Sequence, residues 1–206
     1  MKEFLAREPF TFIIQAIICF CVFCLFLAVF IDFALYSGNG GVLKEKKSVV
    51  ETGTMTLFFL GFLILLQKGV WVIPAGAGGV KELLMLMGTG MVAAGCAANI
   101  YGRFNLGRNW ANQIRIYQGH TLVQTGMYGI VRHPLYASII LMFYGACLAY
   151  RNLAGIIAVS AVFVPFMAYR ARQEEKLLIQ KFPRYEQYRQ RTGMFFPKIK
   201  IRLKRG

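Results

Sequence analysis

The residues able to do chemistry crowd into two stretches. The first, Asn105 to Ala137, reads NLGRNWANQIRIYQGHTLVQTGMYGIVRHPLYA and holds both histidines of the chain, His120 and His133. The second, Tyr169 to Glu175, reads YRARQEE. Within the first, Arg132-His133-Pro134-Leu135-Tyr136 has the form of a helix start. Proline suits a first helical turn, and the residue before it is held extended. The unpaired N–H groups of such a turn suit an anionic group, and Tyr136 offers a ring and a hydroxyl. Taken alone, the same residues suit an anchor at a membrane surface equally well. In the second stretch Arg170 and Glu174 are four apart and share a helix face. They read either as a surface ion pair worth a few tenths of a kcal/mol, or as a carboxylate for a cationic amine beside an arginine for an anion. Two histidines without a cysteine or carboxylate pattern predict no metal site. Cys21-Val-Phe-Cys24 has no second pair at zinc spacing and reads as small apolar packing.

The elements that position these residues are apolar. Of 206 residues, 57% are hydrophobic and 16% charged, against about 25% charged in soluble domains. This excludes a disordered chain and disfavours a soluble enzyme. Between Glu8 and Asp32 no charge occurs, which is room for a helix of about 20 residues across a bilayer. That run is too long for a signal-peptide core and reads as a retained span. A second span is expected over Thr54–Ile73, with Lys68 and Trp71 at its far interface. A third is expected over Leu83–Tyr101. Its small residues Gly88, Gly90, Ala93, Ala94, Gly95, Ala97 and Ala98 would let another helix approach closely. Pro134–Tyr150 and Leu153–Tyr169, broken by Arg151-Asn152, form a helical hairpin. A hairpin joins its other ends, so RHPLY should meet Glu174 and Glu175.

Lys and Arg total 24 against nine Asp and Glu, a net +15, and twelve of the basic residues lie from Arg170 onward. After a membrane helix such a tail reads as a cytoplasmic flank attracted to anionic headgroups, not as a nucleic-acid site. With Arg103, Arg108, Arg115 and Arg132 in the third connection, it puts that connection and the C-terminus in the cytosol and the N-terminus outside.

His120-Thr121-Leu122-Val123, Gly126, Tyr128, Arg132-His133-Pro134-Leu135-Tyr136 and Glu174-Glu175 together resemble the isoprenylcysteine carboxyl methyltransferase family, whose wider group includes phospholipid N-methyltransferases. The likeness covers Asn105 to Pro197. It implies an S-adenosylmethionine cofactor held by Gln113, His120, Thr121, Leu122, Val123, Tyr128, His133, Pro134, Leu135, Tyr136, Glu174 and Glu175. It places Arg170 near the substrate, with Arg132 and His133 as further catalytic candidates. Lys176 and Pro183 depart from the family pattern and bear on the substrate.

The expectation is therefore an all-α, polytopic membrane protein in one domain, 1–206. Residues 1–101 supply three apolar spans, and 102–206 the cofactor-binding half. About five transmembrane helices would carry a cytosolic cofactor pocket built from the 102–135 loop and the C-terminal helices, in a bacterial inner membrane or an ER-type membrane. The leading activity is methyl transfer to a membrane-borne, lipidic acceptor, an isoprenylcysteine-type carboxylate first. The alternatives are a phospholipid amine or thiol acceptor, an NADPH-dependent sterol-type reductase, and a basic membrane interaction protein without catalysis.

Overall fold

In a computed structural model the chain is described over residues 9–36, 42–46, 49–74, 79–109, 114–117 and 121–198. Helix α1 (Pro9–Tyr36) is followed by strand β1 (Val42–Lys46), α2 (Val49–Lys68) and α3 (Val80–Leu106). Then come β2 (Ile114–Tyr117), a single turn α4 (Met127–Ile130), α5 (Pro134–Ala149), α6 (Leu153–Lys181) and α7 (Tyr185–Arg191). The architecture is the expected α-helical membrane one. α1, α3 and α6, of 28, 27 and 29 residues, are long and apolar enough to cross a membrane. α2 and α5 are apolar but shorter; the 16 residues of α5 rise about 24 Å.

Helix ends sort into two levels. β1 pairs antiparallel with β2, a ribbon that hydropathy alone does not reveal. It holds the end of α1, the start of α2 and the end of α3 at one level. At the other level the hairpin tip is tied to the end of α2. The Ile73 N–H donates to the Arg151 carbonyl at 2.9 Å and the Leu153 N–H to the Trp71 carbonyl at 3.1 Å. Asn152, fully buried, accepts from the Gly155 N–H and donates to the Leu65 carbonyl at 3.0 Å.

α3 and α5 pack closely because glycine recurs every seventh residue. A Cβ on Gly88 would lie 2.3 Å from the Ala149 backbone nitrogen, and one on Gly95 2.8 Å from the Ser138 carbonyl oxygen. A Cβ on Gly102 would touch Leu135 at 3.0 Å, whereas one on Gly90 would meet nothing within 4 Å. The small-residue face is thus narrower than the composition suggests and extends one step further, to Gly102.

Three expected boundaries shift. α2 ends at Lys68, not Ile73, because Gly69 and Trp71 turn left-handed (φ 61° and 52°) and the next residues pair with the hairpin tip. α1 runs past Asp32 to Tyr36, and α3 runs past Arg103 to Leu106. Arg103 therefore does not belong to the third connection. Its Nη1 donates to Asp32 at 2.6 Å and its Nε to Asn99 at 2.8 Å, all three side chains being buried. Asn99 in turn donates to Ser138 at 2.7 Å and to the Leu135 carbonyl. Burying either charge alone in apolar surroundings is expensive; paired, they pin α1 to α3 and α5. Finally, α6 widens to a π-helical segment over Val159–Phe163. Pro165 follows one residue after it; it has no N–H to offer the preceding turn, and the wider turn accommodates its ring.

Candidate active site

The hairpin of α5 and α6 closes where the two chemical stretches lie. Pro134 opens α5, and His133 before it takes φ −124° and ψ 65°, outside the helical region, as a residue before proline does. α6 continues past Tyr169 to Lys181. Its last turns therefore stand beside the first turn of α5. The Tyr136 hydroxyl donates to Glu174 Oε2 at 3.2 Å, and Arg170 lies beside the same hydroxyl. The His133 and Tyr136 rings stack with centroids 5.5 Å apart.

The two adjacent acids occupy different settings. Glu174 is 38% exposed and lines the cavity described below. Glu175 is buried behind the cavity wall, where it accepts from Arg132 Nε at 2.7 Å and from His133 Nε2 at 3.1 Å. A carboxylate only accepts, so Nε2 carries the proton. His133 Nδ1 then faces Glu174 at 3.6 Å. Arg132 is committed as well: its Nη1 donates to the carbonyls of Thr192 and Arg189.

The C-terminal segment completes this wall. The Arg132 N–H donates to the Gly193 carbonyl at 2.8 Å and the His133 N–H to the Met194 carbonyl at 3.1 Å. The expectation of open N–H groups at this helix start is corrected at His133, whose N–H belongs to the C-terminal segment. The Tyr188 hydroxyl donates to the Tyr128 carbonyl at 2.5 Å. Burial pushes the phenols of Tyr128, Tyr185 and Tyr188 up from their ordinary range. They stay protonated and serve as walls, Tyr188 also as a donor, not as bases.

On the other side, Asn109 fixes the 121–123 segment. Its Oδ1 accepts from the Thr121 N–H at 2.8 Å and its Nδ2 donates to the Thr121 hydroxyl at 3.0 Å. Asn105 accepts from the Met127 N–H at 2.9 Å. Gly126 beside it has φ 59°, and a Cβ there would sit 1.9 Å from Asn105 Oδ1. Two asparagines four apart at the end of α3 thus set the start of the connection. Their spacing was a signal in the sequence that chemistry-led reading passed over.

These walls enclose a cavity of about 960 Å³. Thr121, Leu122, Val123, Tyr128, His133, Leu135, Tyr136 and Glu174 line its polar end, with Arg132 and Arg170. Pro134 and Glu175 do not line it; Pro134 is buried toward Gly102 and Glu175 is turned toward Arg132. Gln113 and His120 lie outside the described residues. Arg103, Asn109, Tyr185 and Tyr188 also line the cavity and are not among the residues the sequence singles out for the site. The paired tyrosines, three apart on α7, were the legible part of that set.

The cavity continues between α1, α2, α5 and α6 into an apolar arm walled by Phe26, Phe58, Phe59, Phe62, Phe143 and Phe163. Phe143 and Phe163 lie 4.4 Å apart between ring centroids, and Phe62 and Phe143 4.6 Å. Its lining reaches from Tyr136 to Tyr150, roughly 20 Å along α5 at 1.5 Å per residue. Polar groups at one end and a long aromatic arm at the other suit a ligand with a charged head and a hydrocarbon tail.

A helical membrane protein with an amphipathic cavity of this kind is the class that fold and site define. Residues 87–180 match the isoprenylcysteine carboxyl methyltransferase (ICMT) family, and over that stretch the chain is similar to these membrane methyltransferases. Two curated relatives are similar. The cobalt-zinc-cadmium resistance protein CzcN of Cupriavidus metallidurans is 29% identical over 136 residues, covering 65% of this chain and 54% of that protein. The nickel-cobalt-cadmium resistance protein NccN of Alcaligenes xylosoxydans xylosoxydans is 35% identical over 100 residues, covering 47% and 46%. The chain thus spans about half the length of the curated relatives it matches.

Proposed function

We propose that this protein, as a single domain, transfers a methyl group from S-adenosylmethionine to a lipidic acceptor, with an isoprenylcysteine-type carboxylate as the leading substrate. The observation that carries the reading is the continuity of the cavity, from the polar cluster around Glu174 to the aromatic arm. The donor set fits the cofactor. Glu174 is a half-exposed carboxylate for an ammonium group, and Leu122, Val123 and Leu135 offer apolar contact for a base. Thr121, Tyr128, His133 and Tyr136 complete that wall, with Gln113 and His120 assigned by family likeness. Bound there, S-adenosylmethionine supplies an electrophilic methyl group on a sulfonium.

The chain's own residues position and desolvate. Arg170 orients the acceptor carboxylate through its planar fork. A carboxylate nucleophile needs no base, so no side chain has to take a proton. Arg132 and Glu175 hold His133, and through it the first turn of α5, in register with Glu174. An amine or thiol acceptor would have to lose a proton, and His133 Nδ1, facing the cavity wall beside Glu174, is the group placed to receive it. The acceptor's tail enters the aromatic arm from the bilayer between α1 and α2, where the edge-to-face contact of Phe26 and Phe59, 6.0 Å between centroids, is the bridge.

The test has two parts. The purified chain is heated with S-adenosylhomocysteine, NADPH or neither. Binding of the first alone raises the melting temperature; a shift with NADPH instead overturns the reading in favour of a reductase. Labelled methyl transfer is then measured with a prenylated cysteine, a phosphatidylethanolamine and an alkyl thiol. Turnover confined to the amine or thiol would move the assignment from O- to N- or S-methylation.

A further inference from the structure

A second cleft lies on the outer side of the polar end, between the 124–130 segment and α7. It has a volume of about 1040 Å³, and Arg184, Arg191 and Lys198 line it together with Gln124 and Gln187. No carboxylate lines it. Glu186, the acid of α7, instead engages Arg189 at 2.8 Å. Lys198 donates to the Gln190 carbonyl at 2.7 Å, which fixes its ammonium at the rim next to Arg191.

The level of this cleft follows from the main chain. α6 carries the chain away from the membrane boundary as far as Lys181. The pairing of Gly193 and Met194 with Arg132 and His133 brings it back to the height at which α5 begins. Two large apolar side chains stand at the same place: Ile130 in the cleft lining is 52% exposed, and Phe196, beside the lining Pro197, is 78% exposed. Exposed apolar groups next to a cluster of cations are the pattern of a surface lying at the headgroup level. There the apolar groups enter the acyl boundary and the cations meet phosphates.

We propose that this cleft binds the phosphate-bearing headgroup of an anionic lipid. Free phosphate shares the chemistry, but Ile130 and Phe196 favour a ligand that carries acyl chains. The wall of the cleft includes Tyr188 and Thr192, which also hold the Tyr128 carbonyl and Arg132. A bound headgroup would brace the same α7 that closes the active site. The assignment stands on charge and placement and does not depend on the methyl-transfer reading.

The experiment measures the melting temperature of the full chain in neutral detergent, titrated with short-chain phosphatidylglycerol, short-chain phosphatidylcholine or inorganic phosphate. Phosphatidylglycerol should raise it saturably and phosphatidylcholine should not. Replacing Arg184, Arg191 and Lys198 by Gln should weaken the phosphatidylglycerol affinity about fivefold per cation removed. The tail variant Lys200→Gln/Arg202→Gln/Lys204→Gln, which removes only diffuse attraction, should lose far less affinity than the cleft variant. If the triple cleft variant is already unstable without lipid, Arg184→Gln alone carries the test through its fivefold loss. Equal shifts with both lipids, or no shift with either, overturn the proposal. So does a tail variant that loses as much as the cleft variant, which would mean diffuse charge attraction. A shift reproduced by inorganic phosphate alone overturns the lipid assignment and leaves a free-phosphate site.

Discussion

Glu174 and Glu175 stand next to each other in the chain and are built for different tasks. About 100° of helix turn separates adjacent residues, so one faces the cavity and the other faces the body of the protein. Glu174→Gln should leave the melting temperature near wild type and weaken cofactor binding by about 1.5–3 kcal/mol, the scale of one charge-assisted hydrogen bond. Unchanged affinity in a calorimetric titration would remove Glu174 from the cofactor wall. Glu175→Ala should act through stability, because it strands Arg132 and the His133 proton without their acceptor; breaking such a buried pair costs about 3–5 kcal/mol. A melting temperature equal to wild type would show that Arg132 finds other partners. Arg170 gives the third prediction at this scale. An arginine that merely snorkels can be replaced by lysine with little loss. One that orients a carboxylate through two parallel donors cannot. Arg170→Lys should keep the fold and cofactor affinity and lower methyl transfer at least tenfold, about 1.4 kcal/mol in barrier. Turnover near wild type would return Arg170 to the role of a membrane anchor and favour a neutral acceptor. The i, i+4 spacing and the hairpin made Arg170, Glu174 and RHPLY legible as one cluster. The division of labour between the two acids was not legible, because it depends on the rotation of α6, which a packed neighbour sets.

Among the elements, the α3–α5 contact is the firmest constraint on the site, since it holds both the end of α3 and the start of α5. Small residues in α3 were visible in the sequence. Which of them pack follows from the seven-residue recurrence Gly88, Gly95, Gly102, read against the facing residues of α5. Gly95→Ala should lower the melting temperature, because its Cβ would lie 2.8 Å from a backbone oxygen that cannot swing away; overpacking of this kind costs about 1–3 kcal/mol. Gly90→Ala, with open space around it, should leave stability unchanged or raise it. Equal effects of the two substitutions would mean that α3 and α5 adjust their spacing freely. The Asp32–Arg103 pair carries the opposite lesson. A charge inside an apolar run reads as the end of a span. Only the parallel packing of α1 on α3 turns two apparent boundaries into one buried contact, and that partner lies 71 positions away.

At the scale of the whole molecule, the arrangement of helix ends turns a charge count into an orientation. The ribbon of β1 and β2, the mouth of the cavity and α7 share one end with the basic tail. The hairpin tip and the Gly69–Ile73 turn occupy the other end, with Lys68, Lys81 and Arg151 as its basic residues among those described. Arg103 drops out of the comparison because it is buried and paired, yet the asymmetry stands on Arg108, Arg115, Arg132 and the residues from Arg170 onward. By the rule that basic connections stay inside, we predict that the cavity mouth and the C-terminal segment face the cytosol. With the five native cysteines replaced, Arg189→Cys, exposed on α7, should react with an impermeant thiol reagent only after the membrane is opened, and Arg151→Cys in intact cells or right-side-out vesicles. Both substitutions fall at ends of the structure and leave the helix contacts in place. The reverse pattern would invert the orientation. Reaction of both cysteines from the same side would break the five-helix arrangement itself, because α6 would then not cross between them. Either result would also move the headgroup cleft to another leaflet, where the anionic lipids of the cytoplasmic face could not reach Arg184, Arg191 and Lys198.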